Sequence, residues 1–145
     1  MTFRTLLTIA ALLSFSIALL HLTMIFIGAE AYRYFDAGKK MVEAAKAGSL
    51  HPAIITLGIA SVFTVFGLYA LSGAGAMTRL PLLQPALWVI SSIYTLRGLA
   101  VFVQMIMLLQ GKNGLHLAPK DIVFSLVSLC IGMVYLVGTW KRTEM

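Results

Sequence analysis

An all-α membrane protein, built as a four-transmembrane-helix bundle with a short interfacial segment between helices 1 and 2, is the fold class this sequence predicts. Three observations lead there. Of 145 residues, 60% are hydrophobic and 11% charged, and the mean hydropathy is +0.95; soluble domains are about half apolar and a quarter charged. The apolar residues gather in four runs, about 6–27, 54–71, 85–109 and 122–140, each close to the ~20 residues that cross a hydrocarbon core of about 30 Å. None alternates as an outer-membrane strand does, and a helix satisfies its own backbone in lipid, so helices are favoured over a barrel. Residues 1–145 are expected to form one domain.

The first span follows Arg4 and reads as a retained helix. Its apolar run is too long for a cleaved leader, and Ile27-Gly28-Ala29 is a poor cleavage site. It carries Ser14, Ser16 and His21 at the depths where proton-coupled exporters of this size place a glutamate, so that mechanism is not supported. Between the first two spans, Phe35, Val42 and Ala45 recur at helical spacing with Lys39, Lys40, Glu43 and Lys46 opposite. That pattern suits a short helix in the headgroup region, interrupted at Gly38; a solvated connector is the alternative. Tyr32, Tyr34, Phe35, Trp88 and Trp140 read as interfacial anchors.

The second span offers a small-residue stripe, Ala60, Thr64 and Gly67, expected to pack against another helix. Ser72 to Pro81 is a short loop that makes spans two and three an antiparallel hairpin. Its glycines follow no strand and precede no Gly-Lys-Ser/Thr, which excludes a phosphate-binding loop. The third loop holds the turn signal Gly111-Lys112-Asn113-Gly114 and ends at Pro119, a good first-turn residue for span four, with Asp121 placed to favour the helix dipole. On span four, Asp121, Ser125, Ser128, Gly132, Tyr135 and Thr139 follow one another at steps of three and four. Such a stripe marks either a helix-packing face or a cavity lining.

The net charge of +6 is scattered over loops, which points to a membrane surface and not to nucleic acid. Loops one and three carry Arg33, Lys39, Lys40, Lys46, Lys112 and Lys120; the other side carries Arg4, Arg79, Lys141, Arg142 and the amino group. The positive-inside count leans weakly toward loops one and three facing the cytoplasm of a plasma (inner) membrane. Cys130 is the only cysteine, so no internal disulfide forms.

Arg97 is the residue that asks for a function. It lies mid-run in the third span, where a charge costs about 2.5–3.5 kcal/mol on insertion scales, and no acidic residue stands inside another run. Tyr94, Arg97, Val101 and Gln104 share a helix face, expected to point inward. Counting depth at 1.5 Å per residue brings His21, Tyr69, Gln104 and Tyr135 near its level, and Glu30 is the candidate counter-ion if helix one continues past Ala29. The expected ligand-binding set is therefore Arg97, His21, Glu30, Tyr94, Gln104, Tyr69 and Tyr135. Carbonyls, hydroxyls and buried water completing Arg97, or a contact with another subunit, are the competing readings.

The leading functional expectation is a pocket that binds or passes a small anionic or amphipathic molecule, with a lipid among the candidates. The alternative is a non-catalytic accessory or assembly subunit of a larger membrane complex. The expected partners are membrane lipids, with a homo-oligomer or a partner membrane protein as further possibilities. An enzyme is disfavoured because no nucleophile and base, nor paired carboxylates, stand at catalytic spacing. His21, Met24, His51 and His116 lack the close spacing of a metal or haem site, so no metal and no cofactor is expected.

Overall fold

Two prolines open helices. Pro52 stands in the first turn of one and Pro119 begins another, positions where a missing N–H removes no helical hydrogen bond. The computed structural model describes residues 1–110 and 119–144, and the expected turn at Gly111-Lys112-Asn113-Gly114 and the position of His116 lie outside them. The helices are α1 Phe3–Ile27, α2 Ala29–Tyr34, α3 Lys39–Lys46, α4 His51–Ala74, α5 Leu83–Leu109 and α6 Pro119–Thr143. Helices α1, α4, α5 and α6 are long and apolar enough to cross a bilayer. The chain is a four-span integral membrane protein with a short helical segment, α2–α3, between its first two spans.

The long helices overrun the apolar stretches by a few residues. Past the hydrocarbon edge the backbone keeps its hydrogen bonds whatever the side chains are, so α1 takes in Arg4 and α6 takes in Lys141 and Arg142. Local caps then stop them. The Thr2 hydroxyl accepts the N–H of Thr5 at 3.3 Å at the start of α1. Gly75, at φ 76, ends α4: its N–H reaches Ser72 O and that of Ala76 reaches Leu71 O, at 3.1 and 3.0 Å. That pair of bonds is a Schellman end, which requires a left-handed residue. Asp36 (φ 54) ends α2 in the same way.

Two compact units make up the chain. One comprises Met1–Ala11 and Tyr69–Met145, the other Leu12–Leu68.

In the first unit α5 and α6 lie backbone against backbone. A Cβ on Gly98 would stand 2.6 Å from Leu129 Cα, and one on Gly132 would stand 2.7 Å from Thr95 N. The buried stripe of α5 is Leu83, Leu87, Ile90, Ser91, Tyr94, Gly98 and Val101. That of α6 is Ser125, Ile131, Gly132, Tyr135, Gly138 and Thr139, so the expected stripe of span four is a packing face. Leu7, fully buried, fits against Gly73 and Gly138. The loop after α4 is tied down by Ser72, whose Oγ donates to Thr78 O at 3.0 Å and accepts the Leu80 N–H at 2.9 Å.

In the second unit the ring of Phe15 lies over Gly67, where a Cβ would come within 2.5 Å of it. Ala60 and Gly67 are buried but Thr64 is exposed, its hydroxyl donating to Ala60 O, so the expected stripe on this helix is narrower than its spacing suggests. Gly38 does separate α2 from α3. The apolar side of α3 packs back: Phe35, Met41, Val42 and Ala45 close on Met24, Ala31 and Tyr32. Tyr32 corrects the expected anchor role. It is 2% exposed, and its hydroxyl accepts a hydrogen bond from Thr56 Oγ1 at 3.2 Å, so it is a core residue, whereas Tyr34 is 61% exposed.

Candidate functional site on α5

Arg97 sits fourteen residues into α5 and twelve from its end, about 18–21 Å from either terminus at 1.5 Å per residue. An arginine side chain does not span that distance to the headgroups. The sequence expectation placed it on an inward face with Tyr94 and Gln104. The helix turns that face differently: Tyr94 and Val101 are in the buried stripe, Gln104 is half-buried and Arg97 is exposed. At 3.6 residues per turn, Arg97 and Gln104 lie about 60° and 80° round the helix from Tyr94, on the same flank. The seam is filled by Tyr94, Gly98 and Val101, and a guanidinium does not fit where backbones touch.

Of the seven expected site residues, the structure joins two directly. Tyr94 and Tyr135 stack with ring centroids 5.5 Å apart and planes 19° from parallel, both buried in the α5–α6 seam. Tyr69 does not turn toward them; its hydroxyl donates to Pro81 O in the loop at 3.2 Å. His21, in the second unit, donates from Nδ1 to Ile17 O, 2.8 Å away, and lies on the Phe63 ring at 5.2 Å between centroids. Glu30 is engaged one turn along its own helix, its Oε1 accepting from Arg33 Nη2 at 3.3 Å, with both side chains largely exposed. An exposed pair of this kind is worth at most about 1 kcal/mol.

Arg97 makes no hydrogen bond or ion pair with any of the described residues. Its five N–H donors sit on a flank edged by Ile93, 45% exposed, and Leu96, 68% exposed. Sequence spacing finds this arginine but not its direction. Two further clusters escaped the sequence reading altogether: the Tyr32–Thr56 bond, and a cross-link at the far end of the seam. There Gln84 Nε2 donates to Thr143 Oγ1 at 2.7 Å while Gln84 Oε1 accepts from Arg142 Nη1. Gln84 and Thr143 are 59 positions apart, and nothing local in the sequence marks the pairing.

Among the described residues no three His, Cys, Asp or Glu side chains gather as a metal site would need. No family model, curated protein or solved structure matches the chain. The chemistry available on α5 is thus that of a single fixed cation at mid-membrane depth, presented outward.

Proposed function

We propose that this protein is a non-catalytic membrane subunit that docks a partner transmembrane helix through Arg97, which pairs with a carboxylate carried by that helix. The observation behind this reading is the position of Arg97: mid-span, exposed and unpartnered among the described residues. A charge at that depth faces protein, water or a ligand, and not acyl chains. In low dielectric an arginine–carboxylate pair forms bidentate hydrogen bonds that a neutral partner does not offer.

A second copy of the same chain is disfavoured as the occupant. The one acid within its spanning helices, Asp121, stands in the first turn of α6 and not at mid-span, and a symmetric contact through this flank brings Arg97 against Arg97. A pocket enclosing a small anion is also less well supported, because Tyr94 and Tyr135 close on each other and leave Arg97 outside.

The test uses the chain reconstituted in vesicles with a leucine-rich single-span peptide bearing one central Glu, followed by fluorescence transfer between the two. Association is expected with the Glu peptide, not with its Gln counterpart, and is expected to be lost in Arg97→Leu and retained in Arg97→Lys. Equal association of the Glu and Gln peptides, or none with either, overturns the reading.

A further inference from the structure

The end of the first unit where α5 begins and α6 finishes is strongly cationic. Arg4, Arg79, Lys141 and Arg142 belong to it, and Lys141 Nζ donates to Met1 O at 3.3 Å. Against these stands one acid, Glu144; the unit's other acid, Asp121, opens α6 at the opposite end of that helix. Glu144 is held by its own helix, its Oε1 accepting the Trp140 indole N–H at 2.7 Å. Arg142 is partly desolvated and feels the positive charge of Arg79. Like charges gathered at one helix end repel one another, and an anion relieves that repulsion.

Arg142 is also held in place. Its Nη1 donates to Gln84 Oε1, Gln84 in turn donates to Thr143, and Thr143 Oγ1 donates to Thr139 O at 2.8 Å. The fork is thereby fixed with donors left over, the arrangement that suits bidentate recognition of a phosphate. Arg79 is exposed in the loop that Ser72 ties down. On the flank of the same helix pair lies an open groove of about 300 Å³ lined by Trp88, Trp140, Thr143 and Glu144. Tryptophans at this level of a span sit at the headgroup boundary, where an acyl chain begins.

We propose that Arg79 and Arg142 hold the phosphate of an anionic phospholipid whose acyl chain lies along the Trp88–Trp140 groove. The occupant is a lipid and not a soluble anion because the cationic end and the indole groove share one pair of helix ends at the membrane surface. This site is separate from Arg97 and does not depend on the reading given to that residue.

Native mass spectrometry of the whole chain in detergent, titrated with phosphatidylglycerol or phosphatidylcholine, tests the assignment. The chain is expected to retain one phosphatidylglycerol in clear preference to phosphatidylcholine. Arg79→Gln, an exposed loop change that leaves the Gln84 bonds in place, is expected to weaken retention about fivefold, the factor associated with one basic residue at an anionic surface. Arg142→Lys keeps the charge but not the fork and is expected to weaken it too, while Trp140→Ala lowers retention of both lipids. Equal retention of the two lipids, or Arg79→Gln and Arg142→Lys both behaving as the unsubstituted chain, overturns the proposal. So does displacement of phosphatidylglycerol by millimolar inorganic phosphate, which makes the occupant a free anion.

Discussion

Gly98 of α5 and Leu129 of α6 meet with no room for a side chain between them: a methyl group on Gly98 would stand 2.6 Å from both the Cα and the backbone N of Leu129. Backbone, unlike the end of a flexible side chain, does not yield without moving the helix. In lipid, where no hydrophobic force drives one helix onto another, such approaches supply much of the packing energy.

Gly98→Ala is therefore expected to lower stability by about 1–3 kcal/mol, the usual cost of overpacking, seen as an earlier unfolding midpoint on titration with denaturing detergent. Gly58 provides the control, since nothing lies within 4 Å of a Cβ built there. Gly58→Ala is expected to leave the midpoint unchanged or raise it slightly, as alanine is the better helix former. Equal effects at the two glycines would remove the seam from the account.

Thr139 presents the opposite case. It is 0% exposed, and its Oγ1 has no hydrogen-bond partner among the described residues. A buried unsatisfied hydroxyl costs about 1–3 kcal/mol, and replacing it with an apolar group of the same shape recovers part of that. Thr139→Val is expected to raise the melting temperature in detergent; Thr139→Ala is expected to do so less, because it leaves a gap. A lower melting temperature for the valine variant would mean that the hydroxyl is satisfied after all.

Arg97→Leu is expected to leave the fold intact and to ease insertion of the third span by about 3–4 kcal/mol on translocation scales. Glycosylation mapping of the isolated span measures this directly. If the variant instead melts far below the unsubstituted chain, the arginine is a structural pillar and not an outward-facing docking group.

In the second unit, Thr56→Val removes the bond to the Tyr32 hydroxyl while keeping shape. The expected loss is about 1 kcal/mol, typical of one hydrogen bond, and it is expected to appear as faster amide exchange confined to α2 and α3. Tyr32→Ala, which empties the centre of that small core, is expected to cost about 3–5 kcal/mol, as for other large buried aromatics. Unchanged exchange in both variants would detach the segment from its core.

Much of this architecture was legible from hydropathy and from punctuation. The four spans, the break at Gly38, the start at Pro119 and the packing face of α6 all follow from local rules that lipid enforces strictly. The direction of Arg97 did not follow. Counting residues gives height along a helix axis, but the angle round it depends on which neighbour comes closest, and about 60° of rotation moves a side chain from seam to flank. Tyr32 shows the same limit: beside Tyr34 and Phe35 it has the composition of an interfacial anchor, and only the return of α3 and the reach of Thr56 make it a core residue. The Gln84–Thr143–Arg142 link joins residues too far apart in sequence for any local pattern to reveal.

The α5–α6 seam also bears on how the protein is made. The third span leaves the ribosome with a mid-helix charge that nothing in its own sequence offsets, and with Tyr94 and Gly98 still lacking the surface they pack on. That surface is the next helix to be synthesised. Membrane integration of the third span is thus expected to depend on the arrival of α6, so that a chain released before α6 is complete is expected to hold its arginine helix weakly.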